Sequence, residues 1–147
     1  MCIRDRGTTD YAVAIYREAI NMGMYECFVR ENTRLPMMYM DDAVRATVEL
    51  MRARRENLTR TADYNIRAMS FTVGELAASI ADSVEGFSVS YNPDERQDYA
   101  DSWPDDVDDS VARIDWGWLP EYDLETTTKI MLTHLQSGTS LTGRADF

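Results

Sequence analysis

At 147 residues, with 44% hydrophobic and 28% charged side chains, the chain has the length and make-up of one folded domain, not of a disordered tail. A net charge of −11 argues against nucleic acid and anionic membrane as partners. Two cysteines without ligand spacing, no apolar run near about 18 residues and no charged-then-apolar leader describe a reduced, cytoplasmic chain that spans no membrane.

Residues 1–6 fit no element and read as a foreign start to a chain whose natural beginning lies upstream. Thr8, Thr9 and Asp10 are helix starters, and Ala12, Ile15, Tyr16, Ala19 and Ile20 then recur as a buried face that Gly23 ends. Two threonines beside an aspartate either cap that helix or hold a polar ligand at its positive end. Tyr25 to Val29 reads as a short strand, and Glu31-Asn32-Thr33 as a turn. Arg34 is then a structural ion-pair partner or a fork aimed into a cleft.

Leu35 to Met40 predicts a fully buried strand, flanked by strands from outside this chain. Asp41 or Asp42 is expected to cap the next helix, with Val44, Val48 and Met51 on its inner face and Arg52, Arg54 and Arg55 at its negative end. Ala62 to Ile66 reads as another strand. Thr72 and Glu75 form a capping box, with Phe71 and Leu76 at the positions of a hydrophobic staple. Leu76, Ala77, Ile80, Ala81 and Val84 line the helix that follows, and Gly86 stops it.

Phe87 to Tyr91 alternates as a half-exposed strand does. Residues 96–104 carry no period, and Trp103, fixed by Pro104, is a pocket rim or a loop anchor. The run from Asp105 to Asp109 lacks the glycine and terminal glutamate of a calcium loop, so no metal is assigned to it. It reads as the solvated first turn of a helix with Val107, Val111 and Ile114 inward. Trp116-Gly117-Trp118 turns the chain, and Asp123 caps a last helix facing Leu124, Thr127, Met131 and Leu135 inward. His134 has no acid–base partner in sequence and receives no catalytic role. Residues 138–147 read as a flexible tail.

Gly7-Thr8-Thr9-Asp10-Tyr11-Ala12, Arg34-Leu35-Pro36-Met37-Met38-Tyr39-Met40-Asp41-Asp42-Ala43 and Ala100-Asp101-Ser102-Trp103-Pro104 occur in this order, followed by Ala112-Arg113-Ile114-Asp115-Trp116-Gly117-Trp118. Together they resemble the C-terminal half of the short-chain type of NAD-dependent L-threonine 3-dehydrogenases, within the extended short-chain dehydrogenases and the related epimerases and dehydratases. The resemblance covers residues 7–137. It implies an α/β chain forming the C-terminal substrate-binding portion of a Rossmann-type fold, with the N-terminal cofactor half missing. It also implies oxidation of L-threonine to 2-amino-3-ketobutyrate with NAD, in an enzyme that is a homodimer when complete. Thr8, Thr9 and Asp10 then fall where the family meets its amino acid, and Trp103 where an indole closes over it. Arg34 and Arg96 fall where related epimerases hold a sugar-nucleotide phosphate, and neither counts as catalytic.

The seven glycines form no Gly-x-Gly pair, and Lys129 is preceded four residues earlier by Glu125, so no Tyr-x-x-x-Lys exists. No catalytic residue is assigned, and the chain alone is expected to transfer no hydride and to fold poorly. A nucleotide-sugar epimerase and a free-standing, non-catalytic binding module are the alternatives.

Overall fold

The computed structural model describes residues 11–137. Helix α1, Tyr11–Met22, buries Tyr11, Ile15, Tyr16 and Ala19 and ends at Gly23, whose positive φ of 68° suits a residue without a Cβ. Strand β1, Met24–Cys27, then pairs in parallel with β4, Ser88–Tyr91, in the register Tyr25 to Val89. Between them lie β2, Arg34–Met37; α2, Met40–Arg52; β3, Met69–Thr72; and α3, Val73–Ala81. Helices α4, Arg96–Asp101; α5, Ser110–Trp116; and α6, Leu124–Gln136, complete the chain.

The main core gathers α1, β1, α3 and α6 around Ile15, Tyr16, Cys27, Val29, Leu76, Ile80 and Leu132. Tyr16 and Ser79 both share a hydrogen bond with Thr128 of α6, at 3.1 and 3.0 Å, which satisfies three hydroxyls inside an apolar setting. The capping box forms as the sequence predicts: Thr72 accepts from the Glu75 N–H, and Glu75 accepts from the Thr72 N–H. Asp123 caps α6 by accepting from the Thr126 N–H at 2.8 Å, and Gly117 closes α5 at a φ of 76°.

Several expectations are corrected. The segment Leu35 to Met40 is not a strand buried on both faces: β2 pairs antiparallel with β3 in a separate two-stranded ribbon, and only Leu35 is fully enclosed. Neither Asp41 nor Asp42 caps α2. Tyr39 takes the cap position without a side-chain bond. Asp42 instead accepts from the backbone N–H groups of Glu121 and Tyr122 and from Arg45. These fixed donors hold the α2 face that carries Asp42 and Ala46 against the following turn, so the opposite face, with Met40, Val44 and Met51, points outward. Met51 is 80% exposed.

Ala62 to Ile66 makes no strand ladder among the described residues. The acidic run precedes α5 instead of forming its first turn, and Ile114 faces solvent while Ala112 and Asp115 are buried. On α6 the deepest residues are Thr128 and Leu132, with Leu124, Met131 and Leu135 packed beside them. Residues 96–101, aperiodic in sequence, form α4 because Gln97 and Ala100 are drawn inward.

Candidate functional site

The loop leaving β1 and the short helix α4 face each other across a small polar hollow. Phe28, just past β1, is held between two rings of contact. Tyr11 meets it edge-on at 6.2 Å, and the Arg96 guanidinium lies 3.3 Å from its centroid. Arg96 is itself clamped by Asp94. The start of α1, the end of β1 and the start of α4 therefore meet at one place.

Beyond Phe28, Gln97 joins the two walls. It is buried, and its Oε1 accepts from the Arg30 N–H at 2.7 Å and from the Thr33 hydroxyl at 3.1 Å. Its Nε2 donates to Asp101 at 2.7 Å. Both Asp101 oxygens also accept from one Arg30 nitrogen, Nη2, at 2.6 and 2.7 Å. That guanidinium, with Gln97 second, holds the Asp101 carboxyl below the usual carboxylate range.

Arg34 opens β2 and extends across its partner strand. It donates to the Ser70 carbonyl at 2.8 Å and to both Glu75 oxygens at 3.0 and 3.1 Å. Glu75 lies below its ordinary pKa, first through the Thr72 N–H and then through Arg34. The Ser70 hydroxyl donates to the Asp105 carbonyl, which ties down the far end of the Trp103 loop.

These groups enclose a cavity of about 270 Å³ lined by Arg30, Asn32, Thr33, Arg34, Ala100, Asp101 and Asp105. Its walls carry both signs of charge, suited to a small zwitterion and not to a large apolar ligand. Trp103 is 51% exposed and stands between lining residues Asp101 and Asp105. Two larger hollows, between α3 and α6 and beside residues 55–64, are open grooves that gather none of the residues singled out by the sequence.

Thr8, Thr9 and Asp10 lie outside the described residues. The structure thus brings Arg34 and the Trp103 loop to one hollow and leaves the first polar cluster unplaced. Sequence reasoning missed Arg30, Asn32, Gln97, Asp101 and Asp105. Each sits in a polar, aperiodic stretch, and only tertiary pairing distinguishes them from solvated surface.

A dinucleotide cradle is absent from the described residues. The one strand-to-helix turn that contains a glycine is β3 to α3, and its backbone donors are already used. Thr72 N–H reaches Glu75, Val73 N–H reaches the Thr33 carbonyl, Gly74 N–H reaches the Glu31 carbonyl, and Glu75 N–H reaches Thr72. No donor is left there for a pyrophosphate. No three His, Cys, Asp or Glu side chains converge among the described residues, and no described helix is long and apolar enough to cross a membrane.

No family model matches the chain. It is 52% identical over 127 residues to the mitochondrial L-threonine 3-dehydrogenase of Bos taurus, covering 86% of this chain and 34% of that protein. Among solved structures it is similar to the GalE-like L-threonine dehydrogenase of Cupriavidus necator, with a TM-score of 0.85 and 51% identity over 88% of this chain and 47% of that one. It is also similar to a monomeric L-threonine 3-dehydrogenase from a metagenome, with a TM-score of 0.86 and 50% identity over 90% of this chain and 43% of that one. The chain therefore spans between a third and a half of the length of these relatives.

Proposed function

This chain is a homologue of the GalE-like L-threonine 3-dehydrogenases, matching the C-terminal portion of an extended short-chain dehydrogenase fold, and from that premise we propose that it is the substrate side of such an enzyme. The complete protein oxidises L-threonine to 2-amino-3-ketobutyrate with NAD. In this reading the cofactor is held mainly by a half of the enzyme that this chain does not match, and the chain alone is expected to transfer no hydride. A homodimer and a cytoplasmic setting belong to the same proposal.

The observation that carries this reading is the mixed-charge hollow, to which the segment bearing Trp103 contributes Ala100, Asp101 and Asp105. A bound amino acid brings one ammonium and one carboxylate, and the hollow is lined by the Asp105 and Asp101 carboxylates, the latter already paired with Arg30, and by Asn32 and Thr33 of the β1–β2 loop. The Arg34 guanidinium is committed to Glu75 and Ser70, so its part is to shape the β2 wall unless substrate displaces Glu75. Trp103 covers the substrate and keeps water from it, with its ring packing the threonine methyl. Thr8, Thr9 and Asp10 lie outside the described residues, and their contact with the amino acid is part of the proposal on the family resemblance alone.

The test joins the chain to a cofactor half bearing a Gly-rich turn and a Tyr-x-x-x-Lys pair, then follows threonine-dependent NADH formation. Trp103→Ala and Thr8→Ala are expected to raise KM for threonine by roughly tenfold or more. Heat protection by a UDP-sugar and not by threonine would overturn the reading in favour of a nucleotide-sugar epimerase.

A further inference from the structure

Trp103 stands on a span of three residues, Ser102 to Pro104, pinned at both ends to the opposite walls of the hollow. At its start, Asp101 is held by Arg30 and by Gln97. At its end, the Asp105 carbonyl is held by the Ser70 hydroxyl, whose own carbonyl receives Arg34. The Trp103 N–H returns to the Ala100 carbonyl at 3.1 Å, so the main chain that carries the indole is tied to the last turn of α4. Helix α4 has only six residues and no side-chain bond at its N-cap, so its place is set by what its residues touch: Arg96 on the Phe28 ring, buried Ala100 and buried Gln97.

Of these, Gln97 is the one that ties α4 to the β1–β2 loop by hydrogen bonds. Its amide uses both ends, accepting from two groups of the β1–β2 loop and donating to the carboxylate at the loop's root. It is also the buried polar side chain on α4. We infer that Gln97 is a positioning residue: through Asp101 and Arg30 it sets how the Trp103 loop stands over the hollow. It touches no reacting atom. This rests on the reading of Trp103 as the cover of the substrate.

Gln97→Glu tests it with little change of shape. The acceptor oxygen for Arg30 and Thr33 survives, while the donor facing Asp101 becomes a second carboxylate oxygen 2.7 Å from the first. The emission of Trp103, isolated by subtracting the spectrum of the same chain carrying Trp103→Phe, is expected to lose anisotropy and to quench more readily with acrylamide. Adding Asp101→Asn restores a donor opposite the new carboxylate and returns the signal toward that of the parent. Thr128→Val is the control: it breaks the hydroxyl cluster on the other side of α1, lowers stability and leaves Trp103 unmoved.

In the completed enzyme, Gln97→Glu raises KM for threonine between about tenfold and a hundredfold with a smaller change in kcat. A Trp103 signal unchanged by Gln97→Glu overturns the inference, whatever the kinetics do. A loosened Trp103 with unaltered threonine kinetics supports the positioning role and sinks the reading of Trp103 as the substrate's cover.

Discussion

The main core and the α2 side of the molecule are built on the same pattern of apolar residues at helical spacing, with opposite results. In α1 and α3 that spacing marks residues enclosed by the chain's own elements, such as Ile15, Leu76 and Ile80. In α2 it marks Val44, Val48 and Met51, of which Val44 and Met51 stand in solvent and Val48 is half-buried, while the helix is held by the buried pair of Asp42 and Ala46 beside Ala112 and Trp118. A periodic stripe states which face of a helix is apolar. Whether the same chain covers that face is a separate fact, decided by what else folds nearby.

That contrast can be attacked directly. Leu76→Ala is expected to lower stability by about 2–5 kcal/mol through lost burial and a cavity, read as the midpoint of urea unfolding. Asp42→Ala follows at about 3 kcal/mol, because the Arg45 guanidinium and two backbone N–H groups lose their acceptor. Thr72→Ala removes one half of a capping box and costs about 1 kcal/mol. Met51→Lys should stay within about 0.5 kcal/mol of the parent and raise the concentration at which the chain remains in solution. If Met51→Lys destabilised as much as Leu76→Ala, the two regions would not differ as described.

The smallest effect is acidic. Asp115 is held below the usual carboxylate range, first by the Tyr64 hydroxyl and then by Thr59. A carboxyl whose folded pKa is depressed stabilises fully above its unfolded value near 4 and loses that contribution as pH falls through the folded one. Thermal midpoints between about pH 5 and pH 2 should therefore fall less steeply for Asp115→Asn than for the parent.

What could be read from sequence alone follows the range of the forces involved. Some helix ends were legible, since a cap or a left-handed glycine is settled within four residues: Thr72 with Glu75, Asp123, Gly23 and Gly117 behave as expected, whereas Asp41 and Asp42 do not cap α2 and α3 ends at Ala81, short of Gly86. Strand partners were not. Leu35 to Met40 is apolar enough for a central strand, yet only Leu35 to Met37 lies in a strand, part of an antiparallel ribbon beside β3, a choice made by residues more than thirty positions away, and Met40 already belongs to α2. The candidate site was half legible. Arg34 and the Trp103 loop share a hollow, whereas Gln97 and Asp101 owe their importance to Arg30, which no local pattern connects to them.

Gly74 sits in the first turn of α3 with its N–H on the Glu31 carbonyl, and a Cβ built there would come within 2.9 Å of Glu31 Cγ. The β1–β2 loop thus rests on a single hydrogen atom. A methyl group at that point would force Glu31 to shift on the loop that also bears Arg30, so the shape of the hollow depends on a residue behind it that does not line it.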